Sequence, residues 1–159
     1  LNPFPGYLQP EPHIIHGPFL LGDTLVTPLP VPHGNSMVNG YLFSRHGQKL
    51  VAYLSDCSAV PDEIVRLIDG VKILIIDALR HKPHPTHLSV DEAIEVATKV
   101  QPAQTLFTHV CHELPQSSEE KLPPGVGIAY DGLRQELGLG CSPLYCSRPR
   151  RFVFSVFFS

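Results

Sequence analysis

Apolar positions along the chain first alternate with prolines, then gather into short runs separated by charged segments with helical spacing. Leu25 to Val31 reads as the first strand, and Pro28 and Pro30 within it each lack a backbone donor, which suits an edge or a strand end. The residues before it carry Pro3, Pro5, Pro10, Pro12 and Pro18 without helical periodicity and read as loop or extended chain. Gly40 to Ser44 and Lys49 to Leu54 flank Arg45 to Gln48, whose glycine supports a hairpin turn between two antiparallel strands.

Beyond Leu54 the pattern changes to helix alternating with strand. Pro61 suits a first helical position, Asp62 and Glu63 complement the positive end of the helix dipole, and Gly70 supplies the stop. Ile64, Val65, Leu67 and Ile68 form the apolar side of that helix. Val71 to Ile76 is a nearly continuous branched-chain run, as expected of a strand covered on both faces. Ser89-Val90-Asp91-Glu92 is a capping box, and Ala93, Ile94, Val96 and Ala97 continue at helical spacing until Pro102 ends the helix. Gln104 to Thr108 returns as strand. This order over Lys49 to Thr108 predicts a right-handed parallel α/β layer.

Composition changes the picture little. A chain of 159 residues with 43% hydrophobic and 17% charged residues has the balance of one globular domain able to bury a core. A net charge of −3 argues against a nucleic-acid or anionic-membrane surface, since the one dense basic group, Arg148, Arg150 and Arg151, lies in a tail. Four scattered cysteines fit a reducing compartment better than a disulfide scaffold. No apolar run approaches the roughly 20 residues of a membrane span, and the start lacks a signal-peptide pattern. The expectation is a soluble, cytoplasmic protein whose initial leucine need not be the natural start.

Chemistry-bearing residues collect where strands end. Asp56 closes KLVAYLSD, Asp77 closes KILIID, His109 closes TLFTH and His33 follows the first strand, while His81, His84 and His87 occupy the loop after Asp77. In a parallel layer such ends surround the ligand crevice, and imidazole with carboxylate suits zinc, manganese or iron. A lone histidine after a strand is more often a hydrogen-bonded surface or core residue, and Asp77 alone is explained as a loop cap. His109 and His112, three residues apart on strand and turn, are not the HExxH pair of a helical zinc protease. Spacing by itself leaves both a metal site and a solvated rim open.

The ordered set PVPHG, YLSD, IIDALRHKPHPTHLSVDEA, LFTHVCHE and GIAYDGL, spanning about Leu25 to Leu133, resembles the second half of a metallo-β-lactamase-fold hydrolase. Within that superfamily it is similar to the branch containing the phosphoribosyl cyclic phosphodiesterase of phosphonate breakdown, and more distantly to the tRNA 3′-end-processing endonuclease. The resemblance implies an α/β protein, mainly the second half of a metallo-β-lactamase-type αββα sandwich, with two divalent metal ions, zinc or manganese, at one edge between the sheets. It implies that His33 ligates one ion, His109 ligates the other, and Asp56 bridges them. His87 matches the catalytic histidine that contacts phosphate and protonates the leaving oxygen, a role suited to a group with a pKa of about 6.5. His112 is then a neighbouring active-site residue, and Asp77 is expected to orient a ligand imidazole.

The function so implied is metal-dependent hydrolysis of a small cyclic or nucleotide-like phosphodiester, with a thioester or lactone as the other electrophiles the superfamily serves. The family's His-x-His-x-Asp-His motif does not occur in the sequence, and His13 and His16, in HIIH, do not reproduce it. The chain is therefore expected to be the carboxyl-terminal portion of a longer protein with part of the site missing. The alternative is a catalytically inactive fragment or isoform that acts as a partner-binding remnant. A homodimer is open, and no membrane partner is expected. Residues 1–136 are expected to form the partial domain and 137–159 an atypical tail. In that tail Cys141 and Cys146 lack the second pair of a metal site, and RFVFSVFF reads as an added strand or a disordered end.

Overall fold

Sheet order follows chain order. In the computed structural model, which describes residues 13–139 and 150–155, one seven-stranded sheet runs β1-β2-β3-β4-β5-β6-β7. Its strands are β1 (Phe19–Leu21), β2 (Thr24–His33), β3 (Ser36–Arg45), β4 (Gln48–Leu54), β5 (Ile73–Asp77), β6 (Gln104–Thr108) and β7 (Val126–Ile128). β1 to β4 pair antiparallel, whereas β4, β5, β6 and β7 pair parallel. The crossovers are α1 (Asp62–Ile68) between β4 and β5 and α2 (Val90–Val100) between β5 and β6. The parallel layer expected over Lys49 to Thr108 is present.

Three prolines sit in β2 without breaking it. Pro28, Pro30 and Pro32 are two residues apart, so their nitrogens lie on one side of the strand, while the intervening residues offer N–H groups on the other. The register pairs β2 with β3 from Leu25 to His33, but β1 reaches only Thr24 to Val26. The prolines thus cost no ladder bond. β2 is longer than expected because it takes in Pro32 and His33, and the Gly34–Asn35 turn makes a hairpin with β3 that the proline pattern obscured. The hairpin between β3 and β4 turns as expected at His46 and Gly47, both with positive φ.

β5 is buried at all five positions, as its branched-chain run predicted. Side-chain alternation divides it between two cores. Leu74 and Ile76 join Leu54, Phe107 and the inner faces of α1 and α2, including Ile68, Ala93, Val96 and Val100. Ile73 and Ile75 join Leu50, Val51 and Leu106 on the opposite face. Helix boundaries follow local chemistry: Pro61 flanks α1 as its cap rather than opening its first turn, and Ser89 caps α2 in a full capping box with Glu92.

The second face is covered by β8 (Arg134–Leu139) and β9 (Arg150–Ser155), an antiparallel pair whose Leu137, Phe152 and Phe154 pack against that core. Lys72 Nζ donates to the Gly138 carbonyl at 2.6 Å, tying β8 to the chain just ahead of β5. Helices, large sheet and small sheet therefore form three layers. The expected boundary between 136 and 137 lies within β8. Pro3, Pro5, Pro10, Pro12, Cys141 and Cys146 lie outside the described residues. No described helix is long and apolar enough to cross a membrane.

Candidate metal centre

β2, β4, β5 and β6 point the same way, so His33, the Ser55–Asp56 loop, Asp77 and His109 reach one edge of the sheet from four strand ends. Backbone contacts hold them together. Ser58 donates from its N–H to the Pro32 carbonyl at 2.8 Å, and its hydroxyl accepts from the Gly34 N–H at 3.3 Å. These bonds seat the loop carrying Asp56 against the end of β2. The next loop closes where the Leu79 N–H donates to Leu88 and the Val90 N–H donates to Arg80, which brings His87 back over the same edge.

Each imidazole is anchored differently. His33 Nδ1 lies 2.9 Å from the Thr86 carbonyl, an acceptor only, so Nδ1 carries the proton and Nε2 is left as the donor atom for a ligand. His87 Nδ1 lies 2.7 Å from Asp77 Oδ2, which also accepts from the Cys57 N–H at 3.1 Å. His109, held at a φ of 58°, places Nε2 3.5 Å from Asp56 Oδ1. Its ring stacks on His87 with centroids 4.6 Å apart and planes inclined by 21°, while His33 meets His87 edge-on at 4.9 Å and 65°. One ligand atom each from His33, Asp56 and His87 lie within 4.8 Å of one another.

Burial sets the electrostatics. Asp77 is fully buried, and desolvation pushes its carboxyl up to about 7, against the opposing pull of the Cys57 N–H and of His109 and His33. Burial also lowers the pKa of His87, with His33 adding to the fall and Asp56 resisting it. The Cys57 thiol is pushed far up by burial, then by Asp77 and Asp56, so it packs as a neutral group rather than serving as a thiolate ligand. Asp77 Oδ1 is buried without a hydrogen-bond partner.

The donor set fits a divalent cation. Imidazoles and a carboxylate meet at one rim, and both His33 and His87 have their second nitrogen engaged by an oxygen, the support that metal-bound histidines normally receive. Beside Asp56 and His109 lies a cavity of about 550 Å³ that also touches Tyr53, Gln116, Tyr130 and Asp131.

Of the residues singled out in the sequence, His33, Asp56, His87 and His109 come together, and Asp77 stands behind them. Its partner is His87 rather than His33 or His109. His112 is exposed in the turn after β6, beside Glu113, and is not among the groups whose ligand atoms converge. Thr86 was not singled out, although its carbonyl fixes His33 and its hydroxyl lies 3.1 Å from His84 Nδ1. A carbonyl leaves no residue-type signal; the available hint was Gly34, whose α-carbon side faces the Thr86 methyl so closely that a Cβ would sit 2.8 Å from it.

Residues 3–110 match the profile of the beta-lactamase superfamily domain. A diphosphatase of the PhnP family has a similar solved structure, with a TM-score of 0.69 and 40% identity over 76% of this chain and 46% of that one. The metallo-beta-lactamase fold protein YhfI from Bacillus subtilis aligns with a TM-score of 0.61 at 20% identity, over 74% of this chain and 52% of that one, a likeness of fold alone. Octanoyltransferase from Porphyromonas gingivalis is 29% identical over 140 residues, which is 83% of this chain and 27% of that protein. The chain thus spans about half the diphosphatase and about a quarter of the octanoyltransferase.

Proposed function

This chain belongs to the beta-lactamase superfamily domain family, and we propose that it forms part of a cytoplasmic, metal-dependent hydrolase, a phosphodiesterase acting on a small cyclic or nucleotide-like phosphodiester. The observation that carries this reading is the convergence of His33, Asp56, His87 and His109 on one sheet edge, in a fold shared at 40% identity with a diphosphatase. Two divalent ions, zinc or manganese, would supply positive charge at the phosphoryl oxygens and lower the pKa of an attacking water. His33, Asp56 and His109 would hold the ions. His87 presents Nε2 toward the substrate, because Asp77 engages Nδ1, and hands a proton to the leaving oxygen. His112, on the outer turn, would contact substrate rather than metal.

The sequence has no His-x-His-x-Asp-His motif, and His33, Asp56 and His109 by themselves are too few ligands for a two-ion site. That shortage of donors also favours a second reading, a non-catalytic remnant that binds a partner. The test is to join this chain to the segment of the PhnP-family diphosphatase outside the aligned part, load the fusion with zinc or manganese, and assay a cyclic phosphodiester beside a lactone and a thioester. Phosphodiester turnover that disappears in Asp56→Ala and falls steeply in His87→Ala is the expected result. Metal-loaded fusion that turns over only the lactone or thioester, or that is indifferent to His87→Ala, would overturn the assignment. Metal without any turnover would favour the remnant.

A further inference from the structure

We infer that this chain by itself holds a single divalent cation between His33 Nε2, a carboxylate oxygen of Asp56 and His87 Nε2, so that His87 is a ligand at single occupancy. The inference rests on the reading of this rim as a metal site and departs from it over His87.

Geometry separates His87 from His109 as a ligand. An imidazole offers its lone pair in the ring plane, and nitrogen sits about 2.0–2.1 Å from zinc. His33 and His87 are inclined by 65°, so their lone pairs can converge on one point between them. His87 and His109 are stacked with centroids 4.6 Å apart and only 21° between their planes, so the two planes do not meet within bonding distance of both rings and one ion cannot lie in both. One ligand atom each from His33, Asp56 and His87 lie within 4.8 Å of one another, so a shift of about 1 Å brings this trio to ordinary zinc distances. Three protein donors would leave a four-coordinate ion open to one further ligand, and the cavity bordered by Asp56 lies beside it.

The supports behind the donors agree. A buried carboxylate behind His87 and a backbone carbonyl behind His33 both hold Nδ1 and leave Nε2 for metal, the arrangement that raises the basicity of a ligating histidine. Proton transfer by His87 then belongs to the two-ion assembly, in which His109 and further donors take over the cations. At single occupancy the chain binds metal with its acid engaged.

Cobalt(II) titration of the chelator-treated 159-residue chain, followed by the visible absorption of bound cobalt, tests this without any assay of turnover. One equivalent is expected. His33→Gln and His87→Gln should each weaken binding by about 100-fold or more, and Asp77→Asn by about 10–100-fold. His109→Gln should weaken it clearly less than His87→Gln does, since His109 touches Asp56 and stacks on His87 without donating to the single ion, with circular dichroism confirming that each variant is folded. If His109→Gln abolishes binding while His87→Gln preserves it, the inference is overturned and the two-ion ligand set stands. If the wild-type chain binds no cobalt, the inference is again overturned, and the fusion assay described above decides the hydrolase reading separately.

Discussion

Asp77 and His87 meet at 2.7 Å through Oδ2 and Nδ1, with the carboxyl group wholly enclosed at the end of β5. One buried group thereby sets the orientation of an imidazole on a separate loop. The same oxygen takes the Cys57 N–H, so two loops share a single acceptor at the end of β5. Removing its charge should disturb both the pH response of the fold and the site.

Desolvation holds the folded Asp77 pKa near 7, above the ordinary 3.8. The folded state therefore keeps a proton that the unfolded chain has lost. Stability from this group is fully present below about pH 4 and is lost as pH rises through about 7, by at most about 4 kcal/mol. Urea unfolding of the chelator-treated protein at stepped pH should show this decline, and Asp77→Asn should flatten it. An unchanged slope in Asp77→Asn would assign the decline to other groups.

Gly34 turns the chain out of β2 with φ at 58°, and a Cβ there would lie 2.8 Å from the Thr86 methyl. Gly34→Ala should cost about 2–4 kcal/mol, from left-handed backbone strain together with overpacking. Adding Thr86→Ser removes the methyl and should restore the steric part but not the backbone part. Denaturant midpoints of the two variants separate these contributions.

Ser89 accepts from the Glu92 N–H, and Glu92 answers the Ser89 N–H at 2.8 Å. Ser89→Ala should lower stability by about 1 kcal/mol. Because the Ser89 cap lies two residues after His87, the variant should also shift the His87 imidazole resonances, which an exposed cap far from the rim would not do.

Phe107 is fully buried in the core beneath the two helices. Phe107→Ala should cost about 3–5 kcal/mol, a large part of the 5–15 kcal/mol typical of a domain, and thermal unfolding should show a matching fall in Tm.

Much of the architecture was legible because its causes are local. Ser89 and Glu92 declare a helix start within four residues, and the Ile73–Asp77 run declares a doubly covered strand from its own composition. Strand ends at the parallel edge were enough to nominate His33, Asp56, Asp77 and His109, with His87 among three histidines in the loop after Asp77, but spacing left a metal site and a solvated rim equally open. The resemblance, not the pattern, assigned them roles.

The sequence by itself determined which segments between Lys49 and Thr108 become strand or helix, that the strands there run parallel, and which side chains arrive at their carboxyl ends, since propensity, caps and hydrophobic period act over a few residues, whereas β1, β7 and β8 carried no such signal. Only the tertiary structure decided the partners. His33 finds its carbonyl 53 residues away, Asp77 faces His87 rather than His33 or His109, and Arg150–Ser155 pairs with β8. Such contacts depend on how loops close between elements distant in the chain, and hydrogen-bond direction and ring inclination at a metal site follow from that closure rather than from residue order.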